Sequence, residues 1–234
     1  YEMEKETITL KWEKFDSFKD LLEKISAGIY DVNKEFGPSD ESDGSGVYLH
    51  TIINPDTNQE YVDYVGKVTR TNIIERQITH YRNIKGGIYG CASEVLAFFE
   101  KGYYKKEFSN EDYYSGLKGD KKKGFIGSDM THCKKIFFNK DISMQLAPIF
   151  FEYANNTKVY LAAVGDTKRV EKKLIYQLQP IRNWTRYYKD NGCVINHEGA
   201  IDRTKIEELE KNNKDFGDER EKNKGKEHRF MKKY

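Results

Sequence analysis

The sequence predicts an α+β fold: a small central antiparallel β-sheet flanked by helices, with a long insertion and extensions at both ends. Three observations predict it. Two β-branched runs joined by turn residues span 46–66, a second such pair spans about 146–164, and helical patterns open behind capping residues at 17, 71 and 166–167. At 234 residues the chain is long enough for one sizeable core with insertions, or for one core plus a small accessory lobe.

Residues 1–44 read as an acidic N-terminal helix and linker. The first 43 residues hold 6 Lys+Arg against 12 Asp+Glu, so the balance of the chain is basic. Phe18, Leu21, Leu22 and Ile25 recur at helical spacing over 17–27, and Gly28 is a helix stop. The Ser/Gly-rich stretch 37–45 then leads into the first core strand.

The run Gly46-Val47-Tyr48-Leu49-His50-Thr51-Ile52-Ile53 is strand-like. Asn54-Pro55-Asp56-Thr57-Asn58 supplies turn chemistry, and Glu60-Tyr61-Val62-Asp63-Tyr64-Val65-Gly66 completes an antiparallel hairpin. This brings Tyr48 and Tyr64 together, each beside a glycine that lets a ligand approach the backbone. Thr71 caps a helix running through Tyr81, with Ile73, Ile74 and Ile78 near one face and Arg76 and His80 four apart on one side. A cation fixed beside an imidazole and two phenols suits a phosphate better than a sugar or an apolar ligand.

The insertion at about 85–144 alternates tyrosines and lysines with glycines. Its Lys121, Lys122 and Lys123, and Arg182 and Arg186 further on, have the chemistry to neutralise phosphates, with a plain surface loop as the equal alternative for the insertion. Residues 146–153 and 158–164 read as a second hairpin. Asp166 and Thr167 cap a helix over 168–178 that carries Glu171, and Pro180-Ile181-Arg182-Asn183 follows. A charged C-terminal extension, 185–234, contains a helix near 204–212. Cys193 and His197, with His132 and Cys133, have metal-ligand chemistry, but their spacing matches no common zinc module.

These elements, in this order, resemble the GIY-YIG nucleases, most of all the type II restriction endonucleases among them. Gly46-Val47-Tyr48 stands for the first tripeptide and Tyr64-Val65-Gly66 for the second. Arg76 and His80 stand for the helix pair, Glu171 for the metal-binding glutamate and Asn183 for the closing asparagine. The match covers roughly 45–84 and 157–184, making 45–184 the nuclease core. Gly28-Ile29-Tyr30 and Gly87-Ile88-Tyr89 spell the first motif literally but lack the partners in order.

The resemblance implies a divalent-metal-dependent endonuclease acting on double-stranded DNA. One Mg²⁺ or Mn²⁺ per site would be held by Glu171, Arg76 would clamp the phosphate, and Tyr48 would act as general base. Tyr64 would bond the phosphate or water, His80 would relay a proton or position Tyr48, Lys67 would add a charge, and Asn183 would orient its neighbours. One site per chain implies a homodimer or sequential nicking. A homing or repair nuclease and a non-catalytic DNA-binding relative are the alternatives. Taken singly, each residue has an ordinary reading: strand-end tyrosines pack, an Arg/His helix pair is a solvated face, and Glu171 beside Lys172 and Lys173 is a surface ion pair. The chain has no apolar run long enough to cross a membrane and no secretory signal, and its three cysteines are too few for a disulfide framework. It therefore reads as a cytoplasmic microbial or viral protein.

Overall fold

The computed structural model describes residues 6–29, 44–54, 57–69, 72–85, 154–181, 183 and 192–216. They form a five-stranded, curled, mixed sheet flanked by helices, so the α+β class holds. In chain order the elements are β1 (Thr7–Phe15), α1 (Phe18–Ser26), β2 (Gly46–Ile53), β3 (Glu60–Val68), α2 (Ile73–Lys85), β4 (Lys158–Ala163), α3 (Thr167–Leu178) and β5 (Val194–Gly199). A C-terminal helix, α4, spans 203–216. The strands lie in the order β3-β2-β4-β1-β5.

Two strands were not expected. The N-terminal segment was read as helix and linker, yet Thr7–Phe15 is β1, shared between two partners. Its Thr7–Trp12 portion pairs in parallel with β5, and Glu13–Phe15 pairs antiparallel with β4. The sheet is therefore antiparallel across β3-β2-β4-β1 but closes with one parallel pair, which corrects the antiparallel expectation. Leu10 and Trp12 of β1 enter the same apolar core as Val47, Leu49, Val62 and Val65.

The helices start where their side chains can satisfy free backbone N–H groups. Ser17 Oγ accepts from Asp20 N at 3.0 Å to open α1, and Gly28 takes a φ of +68° just beyond its end. Asn72, rather than Thr71, caps α2, its Oδ1 accepting from Ile74 N at 2.8 Å; Thr71 lies outside the described residues. Asp166 caps α3 through Arg169 N, and Asp202 caps α4 through Lys205 N.

The two faces of the sheet are packed differently. Side chains alternate along a strand, so Val47, Leu49 and Thr51 face α3 and α4, while Tyr48, His50 and Ile52 face α1 and α2. Tyr160, Ala162, Val170, Leu174 and Leu178 complete the core on the α3 side. A bulge in β3 keeps both faces in phase: His50 pairs with Tyr64 and Thr51 with Val62, leaving Asp63 unmatched. Without that extra residue Tyr64 would point to the α3 side, away from Tyr48.

β3 is an outer strand, and asparagines cover its free edge. Asn213 of α4 accepts from Val62 N and donates to Val62 O at 2.8 and 2.7 Å. Asn183 does the same for Val65, both contacts at 2.8 Å. Each carboxamide thus substitutes for a neighbouring strand and blocks pairing with another chain. Among the described residues no helix is long and apolar enough to cross a membrane.

Candidate functional site

Tyr48 and Tyr64 meet on the α2 side of the hairpin. Tyr48 sits in mid-strand opposite Gly66, and Tyr64 opposite His50, so the rings approach to 6.1 Å between centroids. The first turns of α2 present Ile73, Gln77 and His80 to them. Tyr48 Oη lies 2.6 Å from His80 Nε2, a short buried hydrogen bond. Behind it His50 Nε2 lies 2.7 Å from Gln77 Oε1, and the His50 ring contacts Tyr48, Tyr64 and His80.

The glycines do not open the backbone to a ligand, as the sequence suggested. A Cβ on Gly66 would come within 2.3 Å of the Tyr48 hydroxyl, so the phenol itself occupies the space that the glycine leaves. A Cβ on Gly46 would meet Ala162 O at 2.5 Å and Ile73 Cδ1 at 2.8 Å, so that glycine serves the close approach of β4 and α2. Tyr48 is accordingly only 1% exposed and His80 3%. Tyr64 is half-buried and Arg76, one turn before His80, is exposed. These two are the members of the group that reach solvent.

Lys67 and Glu171 belong to the opposite face. Lys67 pairs with Val47, whose side chain points towards α3, and its Nζ forms an ion pair with Glu171 Oε2. The expected constellation is therefore split: Tyr48, Tyr64 and His80 on the α2 face, Lys67 and Glu171 on the α3 face. Both halves reach β3 at consecutive residues. The Tyr48 hydroxyl lies against Gly66 on one side, and Lys67 departs from the next residue on the other. Asn183 grips Val65 immediately before them, an orienting contact.

Glu171 supplies one carboxylate, and among the described residues no group of three His, Cys, Asp or Glu is placed to hold a metal ion. A hard divalent cation fits this donor set only as a weakly held, mostly hydrated ion that takes other oxygens from a substrate. Lys67 already occupies one carboxylate oxygen, a contact that such an ion would have to share or displace.

A second buried polar cluster surrounds Glu60, at the start of β3. Its carboxylate accepts from Thr51 Oγ1 and, at 2.9 Å, from the Tyr160 hydroxyl, and it is paired with Lys158 at 3.2 Å and Lys205 at 3.0 Å. Burial alone would raise its pKa, but the Thr51 hydroxyl and the two ammonium groups outweigh it and hold the carboxyl below its usual range. Burial and the neighbouring Glu60 charge push the Tyr160 phenol up.

A third polar site lies at the β1-β5 pair. The Trp12 indole N–H donates to His197 Nδ1 at 3.0 Å, with the two rings stacked at 9°. Burial lowers the His197 imidazole to about 4. Because Nδ1 is taken by Trp12, His197 has no metal-ligand role through that atom, and Cys193 beside it is buried.

Sequence reasoning missed His50 and Gln77, although both carried a signal. His50 follows Tyr48 by two residues and so shares its face, and Gln77 precedes His80 by three and so shares its side of the helix. Lys121, Lys122, Lys123, Arg182 and Arg186, the decoy Gly87-Ile88-Tyr89, His132 and Cys133, and the expected strand at 146–153 lie outside the described residues. Comparison of the chain with family models, with characterised proteins and with solved structures finds no match in any of the three.

Proposed function

We propose that the protein is an endonuclease of double-stranded DNA that hydrolyses phosphodiester bonds with one divalent metal ion, and that it cuts at a defined sequence. What supports this reading is the succession of these groups along residues 64–67 of β3: the half-buried Tyr64 and the buried Tyr48–His80 pair on the α2 face, with Arg76 exposed on the adjoining helix, and the Lys67–Glu171 pair on the α3 face. Proton transfer, charge neutralisation and leaving-group stabilisation are the needs of phosphodiester hydrolysis, and these residue types supply all three.

Glu171 would hold the Mg²⁺ or Mn²⁺ ion, which when bound would neutralise charge on the phosphate. Arg76 would engage the phosphate from the α2 side with its planar guanidinium. Tyr64 would hydrogen-bond the phosphate or the attacking water. The Tyr48 and His80 pair would accept the water's proton, Tyr48 being bonded to the imidazole through Nε2. Lys67 would exchange Glu171 for phosphate oxygen when DNA arrives, and Asn183 would hold the β3 backbone. A homodimer, with two such sites, would cut both strands.

Binding of DNA without cleavage is the second reading. The near-complete burial of Tyr48 and the occupation of Glu171 by Lys67 favour it. Incubation of the purified protein with plasmid and phage DNA, with and without Mg²⁺ and beside Glu171→Ala, separates the two. Discrete metal-dependent fragments absent from Glu171→Ala support sequence-specific hydrolysis, and a smear or nicking points to a repair-type nuclease. Retained binding with no cutting under any metal overturns catalysis.

A further inference from the structure

We propose that His50, anchored by Gln77, is a positioning residue that fixes the Tyr48 and His80 rings relative to each other. The proposal rests on the nuclease reading for its activity readout alone; its structural content stands separately. His50 is fully buried at the centre of β2, a place where an aliphatic or phenyl side chain would pack without penalty. An imidazole there must find a polar partner or lose the free energy of its hydration. Gln77, equally buried, is that partner: its Oε1 faces His50 Nε2 at 2.7 Å. An amide oxygen only accepts, so His50 donates its Nε2–H and carries a hydrogen on Nε2.

The arrangement costs the fold something. The Gln77 amide nitrogen has no hydrogen-bond partner among the described residues. A buried polar pair that leaves a donor unsatisfied is a poor way to fill a core, and it specifies geometry instead of adding stability. The geometry it specifies surrounds the phenol. The His50 ring stands perpendicular to His80 at 5.2 Å and 89°, tilted on Tyr48 at 5.1 Å, and 5.9 Å from Tyr64. Phe18 of α1 closes the other side, edge-on at 4.9 Å. His50 therefore lies against four rings, Phe18, Tyr48, Tyr64 and His80, and its own rotation is held by the bond to Gln77. Beside that bond Tyr48 Oη and His80 Nε2 are held 2.6 Å apart. His50 reaches no solvent and so touches no substrate; it acts through its neighbours.

The test uses the full chain labelled with ¹⁵N in its imidazoles, as wild type, His50→Leu, His50→Gln and Gln77→Met. Long-range ¹H–¹⁵N spectra report the tautomer of each histidine, and single-turnover cleavage and DNA titration are measured beside them. In wild type His50 carries its hydrogen on Nε2. His50→Leu and Gln77→Met shift the His80 nitrogen signals and lower the single-turnover rate about 10- to 100-fold, with DNA affinity within about twofold. His50→Gln, whose amide N–H again reaches Gln77, restores both the His80 signals and most of the rate. The proposal is overturned if His50 carries its hydrogen on Nδ1, or if folded His50→Leu leaves the His80 signals unchanged. It is also overturned if His50→Gln restores stability without restoring those signals. A wild type that cuts no DNA would defeat the nuclease reading, and the His80 signals would still decide this one.

Discussion

Two buried polar clusters lie on opposite faces of the same two strands, and they are built on different plans. On the α3 side Glu60 is an ionised carboxylate surrounded by two hydroxyls and two ammonium groups. On the α2 side Tyr48, His50, Gln77 and His80 are joined in two short buried hydrogen bonds, one between a phenol and an imidazole and one between an imidazole and an amide. The first satisfies a charge and ties α4 to the sheet through Lys205, beside Asn212 and Asn213. The second leaves the Gln77 amide nitrogen without a partner. A cluster that satisfies its charge is suited to stability, and one that leaves hydrogen-bonding capacity unspent around a phenol is suited to chemistry.

That contrast breaks if the stability losses fall in the wrong order. Glu60→Ala takes the carboxylate from Lys158, while Lys205 keeps Glu208, and should cost about 3 kcal/mol, the low end for a buried pair because Lys158 and Lys205 keep some solvent. Urea midpoints measure it, and DNA binding by the folded fraction should be unchanged.

Acid sensitivity sharpens the comparison further. The folded pKa of His197 lies at about 4 against an ordinary 6.5, so its contribution is complete above pH 6.5 and is lost as pH falls from 6.5 towards 4. The loss is on the order of 3 kcal/mol. Glu60 is also held low, so its contribution persists down to its ordinary 4.5 and disappears only below that. Unfolding followed by tryptophan fluorescence between pH 7 and 4.5 should therefore show one loss, removed in His197→Gln. A pH-independent midpoint in that range would contradict the buried, neutral imidazole.

Smaller effects follow at the β3 edge and the phenol. Asn213→Ala removes two backbone contacts at Val62 and should cost about 2 kcal/mol, while promoting self-association that light scattering detects. Tyr48→Phe removes one hydrogen bond and should cost about 1 kcal/mol by thermal unfolding, yet abolish cleavage. If Tyr48→Phe were as destabilising as Glu60→Ala, or still cut DNA, the division between a stabilising and a reactive cluster would fail.

Much of this was legible locally. The β2-β3 hairpin, α2, β4 and α3 each carry their own periodicity, turn or cap, and the pairing of Tyr48 with Tyr64 follows from a hairpin register. β1 was missed although Ile8, Leu10 and Trp12 alternate, because its partners lie at 158–163 and 194–199 and no turn links them. The Glu60 cluster was invisible for the same reason: Thr51 comes from β2, Lys158 and Tyr160 from β4 and Lys205 from α4, three elements far apart in the chain. The bulge at Asp63 decides which face Tyr64 takes, and it has no turn-type signature in the sequence. Hence the tyrosines were expected together correctly, while the separation of Lys67 and Glu171 onto the other face was not.

The position of β1 also bears on how the chain is made. Of the described strands synthesis delivers β1 before the others, yet both of its hydrogen-bonding neighbours, β4 and β5, follow more than a hundred residues later. The β2-β3 hairpin can close while the chain is still emerging, but β1 waits for β4 on one edge until residue 163 is out and for β5 on the other until residue 199 is out. The edge strand β5 thus completes the sheet, and a chain cut short before β5 leaves one edge of β1 open.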